Sequence, residues 1–116
     1  MKNNRIDIYG FVSTLIEATE KGLCQWVDQK DASFLLYLEN GSISLRSIYD
    51  TMTDYTHYDI KLNDAEGCFA SFQAESFDGL YSLLNDLWGA IINEQHRIME
   101  EKMYKLYTDL RILENK

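Results

Sequence analysis

The sequence of 116 residues has no proline, only two cysteines and two histidines. No apolar run approaches the roughly 18 residues that a membrane-spanning helix needs. Without proline or low-complexity stretches nothing resembles a linker, and this length suits one domain over residues 1–116. Residues 1–5 carry positive charge with no apolar run behind them, so we expect no signal peptide and a cytoplasmic location. In that reducing compartment Cys24 and Cys68 are expected to be free and buried.

Motifs that carry chemistry are also missing. The six glycines are scattered and form no phosphate-binding loop. No pair of histidines or cysteines has the spacing of a metal site, and His57 and His96 have no partner motif for nucleophilic catalysis. We therefore expect no catalytic residue, no metal and no cofactor, and a protein that is not an enzyme.

Acidic charge is abundant and concentrated in the middle of the chain. The net charge is −8, and residues 31–75 hold eight acids against two bases, a net of −6. An acidic surface repels phosphate backbones, so nucleic acid is not an expected partner. Asp50, Asp54 and Asp59 form a candidate acidic patch. Such a patch is suited to a basic protein partner, but it also serves solubility alone.

The first third of the chain predicts a helix followed by an edge strand. Residues 5–22 place apolar side chains at helical spacing, and Gly22 suits the left-handed position that ends a helix. Residues 24–27 are a short apolar stretch that could add an edge strand. Trp26 within it is expected to anchor the core.

Two hairpins follow and predict an antiparallel sheet over residues 24–73. Asn40-Gly41 fits a type I′ turn, which sets Leu38 opposite Ile43 and places alternate residues on opposite faces. The second hairpin has residues 63–67 as its loop, with Leu62 opposite Cys68 and a left-handed or bulged Gly67. Residues 49–56 are either an exposed connection or a continuation of both strands.

The last segment, residues 76–114, has helical periodicity with Ser76 as its N-cap. An unbroken helix would span about 57 Å, more than a domain of this size is wide. Its apolar positions form two seams, offset across the polar residues 93–97, where the helix either breaks or continues. We favour a continuous helix whose second seam pairs with another chain. The members of that seam are Met99, Met103, Leu106, Leu110 and Leu113.

The expected fold is α+β, with an N-terminal helix, an antiparallel meander of four or five strands, and a long C-terminal helix packed on one sheet face. Alternation then leaves a mixed aromatic and charged surface on the opposite sheet face. Its members are Leu35, Tyr37, Arg46 and Phe69. Either a protein partner or another part of the same chain is expected to cover it.

The order of these features resembles a class of small bacterial and phage-borne α–β-hairpin–α proteins. The resemblance rests on residues 23–26, on the pattern from Tyr58 to Gly67, and on Phe72 with the helix start at Phe77-x-x-Leu80. It covers residues 8–92 and implies the fold, but no activity and no site residue. The helix beyond Ile92 departs from the pattern.

Three functions remain open from the sequence. The favoured one is a non-enzymatic protein–protein interaction module, dimeric through the C-terminal helix. The alternative is a small acidic inhibitor or immunity-type protein that blocks a basic site on a toxin or a nucleic-acid enzyme. The third is an enzyme or small-ligand binder with a site that no motif reveals.

Overall fold

The computed structural model describes residues 6–75 and 78–116, which form an α+β fold. A five-stranded antiparallel meander, with strands in chain order, follows an N-terminal helix and precedes a C-terminal helix in the sequence, so the expected fold class is confirmed with five strands. The predicted N-cap Ser76 and the neighbouring Phe77 lie outside the described residues. The elements are α1 (Ile8–Glu20), β1 (Val27–Asp28), β2 (Ser33–Leu38), β3 (Gly41–Asp50), β4 (Tyr55–Asp64), β5 (Gly67–Ala74) and α2 (Gly79–Glu114).

Helix α1 ends where its glycine predicts. Gly22 has φ of +75°, and the amide of Leu23 donates to the carbonyl of Ala18 at 3.0 Å, which closes the last turn. At the other end, the Asp7 carboxylate accepts a hydrogen bond from the Gly10 amide at 2.8 Å and caps the helix. Both ends are therefore specified locally.

Trp26 is buried and anchors the segment between α1 and the sheet, as expected. Its indole Nε1 donates to Thr19 Oγ1 at 3.1 Å, and that hydroxyl donates to the carbonyl of Leu15 at 2.8 Å. This chain of hydrogen bonds satisfies both polar side chains inside the core. The edge strand that follows is short, at two residues.

The first hairpin has the predicted faces but a different register. Leu38 pairs with Gly41 and Leu36 with Ile43, so the predicted pairing of Leu38 with Ile43 is wrong by two residues. Glu39 and Asn40 form the loop with negative φ, so the turn is not type I′. Gly41 is needed for another reason, because a Cβ there would collide with the backbone carbonyl of Asn63 on β4. A shift of two residues preserves which face each side chain occupies.

The second hairpin contains a bulge that moves it away from the predicted register. Leu62 pairs with Ala70 instead of Cys68, and Asn63 pairs with Cys68, which leaves Phe69 as the extra residue on β5. Gly67 has φ of +116°, as its predicted role requires. The bulge inverts the alternation before Ala70, so Cys68 is exposed and the expectation that it is buried is wrong.

The core lies between one face of the sheet and the two helices. Leu45 and Ile60 sit at its centre with no exposed surface, and they face Val12 of α1 and Leu84 and Leu87 of α2, which are equally buried. Trp88 of α2 adds an edge-to-face contact with Phe34. Both helices therefore share one face of the sheet.

Helix α2 continues without a break through residues 93–97, as favoured from the sequence. Its 36 residues span roughly 54 Å at 1.5 Å per residue. The radius of gyration is 17.8 Å, whereas a compact chain of this length has about 13 Å. The second part of α2 accounts for the excess, because every residue from Met99 onward is exposed. We call Gly79–Ile98 the proximal half of α2 and Met99–Glu114 the distal half.

Candidate interaction surfaces

The distal half of α2 presents an exposed apolar stripe, which we call the distal seam. Its five members follow one another at spacings of three and four residues, which places their side chains in a row along one side of the helix. Their exposed fractions run from 53% to 65%, well above those of ordinary core residues. Large apolar side chains at this density on a solvated helix are typical of a surface that binds another protein. The distal seam consists of Met99, Met103, Leu106, Leu110 and Leu113.

The expected seam omitted other exposed apolar residues of the same segment. Tyr104, Tyr107 and Ile112 are 69%, 52% and 54% exposed. Tyr107 flanks the seam, next to Leu106 and Leu110, and Tyr104 and Tyr107 have ring centroids 6.3 Å apart. The predicted seam contains only residues that alternate at three and four positions. A wider apolar stripe, as is usual for helices that pack on a protein surface, includes Tyr107 as well.

Polar contacts at the end of the proximal half fix the direction in which the distal half leaves the body. Gln95 Nε2 donates to the carbonyl of Trp26 at 3.1 Å. Glu94 is buried and accepts from Arg97 Nε at 2.7 Å, close to Gly22 at the end of α1. The hydrogen bond to Glu94 is the largest cause that raises the pKa of Arg97 above its usual value. Arg97 also pairs with Glu101, the third residue of the distal half.

Leu35, Tyr37 and Arg46 lie together on the sheet face opposite the helices, which we call the open face. Leu35 is half-buried, and Tyr37 and Arg46 are exposed. Arg46 forms an ion pair with Asp31 at 3.1 Å, and Ile48 and His57 extend the face beyond it. Within residues 6–75 and 78–116 both helices pack on the other side of the sheet, so the described part of the chain leaves this face uncovered.

Phe69 does not join the open face, contrary to expectation. The bulge turns it toward the helix side, where it lines an open apolar depression with Phe11 of α1, Leu62 and Phe72. A second depression, of about 390 Å³, adjoins it and extends to Leu38 at the tip of the first hairpin. The consecutive apolar pair Phe69-Ala70, which interrupts the alternation, is the sequence signal that could have revealed this.

The three aspartates of the predicted acidic patch do not form one cluster. Strands β3 and β4 continue past the core as far as Asp50 and Tyr55. Asp50 therefore ends β3, and Asp54 lies in the turn that follows, where its amide donates to the Asp50 carbonyl at 2.8 Å. Tyr49 donates to Asp54, which is the first cause that raises the pKa of Tyr49 above its usual value, followed by desolvation. Asp59 lies on the open face instead, opposite Arg46.

Neighbouring cations partly compensate the negative charge of Asp59. Its carboxylate is 4.0 Å from Lys61 Nζ and accepts from the Ser71 hydroxyl at 3.2 Å. Two cations therefore stand near this one carboxylate, because Arg46 is its cross-strand neighbour. Of the three predicted aspartates, Asp50 and Asp54 lie near the same hairpin tip and Asp59 does not.

The two histidines and the two cysteines lie on different elements of the fold. His57 lies on the open face and His96 on α2, whereas Cys24 follows α1 and Cys68 precedes the bulge on β5. Across the residues described, no three or more His, Cys, Asp or Glu side chains are grouped so that they could hold a metal ion. No helix within the described ranges combines the length and the apolar character needed to cross a membrane.

Comparison of the chain with protein-family models, with curated proteins and with solved structures gave no match. The resemblance to small bacterial and phage-borne proteins therefore stays a prediction.

Proposed function

We propose that this chain is a non-enzymatic protein–protein interaction module that self-associates through the distal half of α2. The observation that carries the proposal is the distal seam, a row of five apolar side chains that are all more than half exposed. A helix in isolation is marginally stable in water, and an apolar row on it gains stability from a second apolar surface. A second helix with the same spacing provides such a surface.

The proximal half of α2 supports this proposal, because its apolar row is covered by the body of the domain whereas the distal seam is exposed. Leu84, Leu87 and Ile91 have the same alternation of three and four residues as the distal seam, and they are fully buried against the body of the domain. The distal half continues the same helix beyond the body, where no other described segment reaches it. A helix from another chain can cover the distal seam as the body covers the proximal half.

The proposal includes a reducing, cytoplasmic location and a protein partner rather than nucleic acid. Two free cysteines, one of them exposed, suit a compartment in which thiols stay reduced. The net charge of −8 opposes binding to phosphate backbones. The acidic inhibitor remains a less supported alternative, because Asp59 is compensated by Lys61 and lies away from Asp50 and Asp54.

The test is the substitution Leu106→Glu at the centre of the distal seam. Leu106 is 65% exposed, so the variant is expected to fold and to lose self-association. Size-exclusion chromatography with light scattering at micromolar concentration is expected to give twice the 13.6 kDa chain mass for the unaltered protein, and the chain mass for the variant.

Ile112→Glu is the matched control. It removes a similarly exposed apolar side chain from the same helix and adds the same charge, but Ile112 lies outside the distal seam. The control is expected to remain a dimer. A monomeric unaltered protein would refute the proposed self-association, and equal loss in both variants would refute the role of the seam.

A further inference from the structure

We propose that two copies pair their distal halves in antiparallel orientation, with Lys102 of each copy facing Asp109 of the other. This inference rests on the proposed self-association and adds its geometry. The alternatives are a parallel pair, and antiparallel pairs that are shifted along the helix by one heptad. The charges that flank the distal seam distinguish between them.

The distal seam follows a seven-residue pattern, with Met103 and Leu110 at the first core position and Met99, Leu106 and Leu113 at the second. His96 occupies the first core position one heptad before Met103 and is exposed. Each core row is flanked by two edges, which meet the edges of a partner helix. One edge carries Lys102 and Asp109, and the other carries Glu100, Tyr107 and Glu114.

A parallel pair in register brings the two different edges together. In that arrangement Asp109 meets Glu114 of the second copy, and Lys102 meets Tyr107. The first contact is repulsive and occurs twice by symmetry, and the second supplies no opposite charge. The helix dipoles are also aligned, which is unfavourable for neighbouring helices. The charges therefore oppose the parallel pair.

An antiparallel pair brings like edges together, and one register satisfies their charges. When Met103 packs opposite Leu106 of the second copy, Met99 packs opposite Leu110, and every member of the distal seam has a partner. Lys102 then lies beside Asp109 of the second copy, and the two-fold symmetry repeats this pair along the same edge. On the other edge, Glu100 lies beside the Tyr107 hydroxyl, which can donate a hydrogen bond to it.

A shift of one heptad in either direction loses these contacts. One shift places Lys102 opposite Lys102 of the second copy, and the other places Asp109 opposite Asp109, so both create repulsion. Each also leaves part of the seam without a partner. The preferred register ends with Leu113 opposite His96, just before the buried Glu94, so the overlap of about 27 Å stops short of the body. The two bodies then lie at opposite ends.

Charge reversal measures the orientation directly. Asp109→Lys is expected to raise the dimer dissociation constant about tenfold, because two symmetry-related attractive contacts become repulsive. Lys102→Glu is expected to do the same, and the double variant Lys102→Glu/Asp109→Lys to restore the original constant within about threefold. Sedimentation velocity over a concentration series provides the constants, and Lys105→Glu, outside both edges, is the matched control with no expected effect.

The possible outcomes separate the two proposals. If Asp109→Lys tightens the dimer, the lysine has met Glu114 of a parallel partner, and the antiparallel arrangement is overturned while self-association stands. If neither reversal changes the constant, or if the double variant is not restored, the register is overturned. If the unaltered chain is monomeric at every concentration, the proposed self-association itself is overturned.

Discussion

The two halves of α2 have the same apolar periodicity and opposite environments. In the proximal half Leu84, Leu87 and Ile91 are fully buried against α1 and the sheet. In the distal half Leu106 and Leu110 are 65% and 58% exposed on an uninterrupted continuation of the same helix. Periodicity thus defines which side of a helix is apolar, whereas the length of the body decides how much of that side is covered within one chain.

The largest expected effect comes from the same substitution made in each half. Leu87→Ala is expected to lower the free energy of unfolding by about 2–5 kcal/mol, because it loses buried apolar surface and leaves a cavity. Leu110→Ala is expected to change it by less than about 0.5 kcal/mol, because the monomer leaves that side chain in water. Urea unfolding in the Leu106→Glu background keeps association out of both measurements. Equal losses in the two variants would contradict the difference between the halves.

A smaller effect of opposite sign is expected at Gly89 in the proximal half. An added Cβ there meets no atom within 4 Å, so alanine fits without strain. Gly89→Ala is expected to raise the free energy of unfolding by about 0.5–1 kcal/mol through helix propensity. Urea unfolding in the same background measures it. Destabilisation by this change would show that the proximal half packs more closely around its circumference than the structure indicates.

The sequence predicts the faces of the sheet well and the register of its strands poorly. The burial of Leu36, Ile43 and Leu45 follows from alternation, which a slip of two residues leaves unchanged. The predicted register depends on Asn40-Gly41 as a turn with positive φ. Gly41 is instead required by the approach of Asn63 on the next strand, and a contact between strands so far apart in sequence has no local signal.

The sequence likewise predicts the distal seam correctly but misplaces Phe69 and Asp59. The distal seam follows from helical spacing, and its exposure follows from a helix longer than the domain is wide. Phe69 was misplaced because a single extra residue in β5 reverses alternation, and hairpin patterns alone do not locate such a bulge. Asp59 was grouped with Asp50 and Asp54 by charge alone, whereas strand pairing sets it beside Arg46.

Hydrogen exchange as a function of protein concentration tests most directly the claim that the distal half is an association surface. Backbone amides in a helix without tertiary contacts open locally and exchange fast, whereas those of a packed helix are protected. We expect the proximal half to be protected at every concentration, and the distal half to become protected only as the concentration rises, with no such gain in Leu106→Glu. Fast exchange of the distal half at all concentrations, equal in both proteins, would contradict the account.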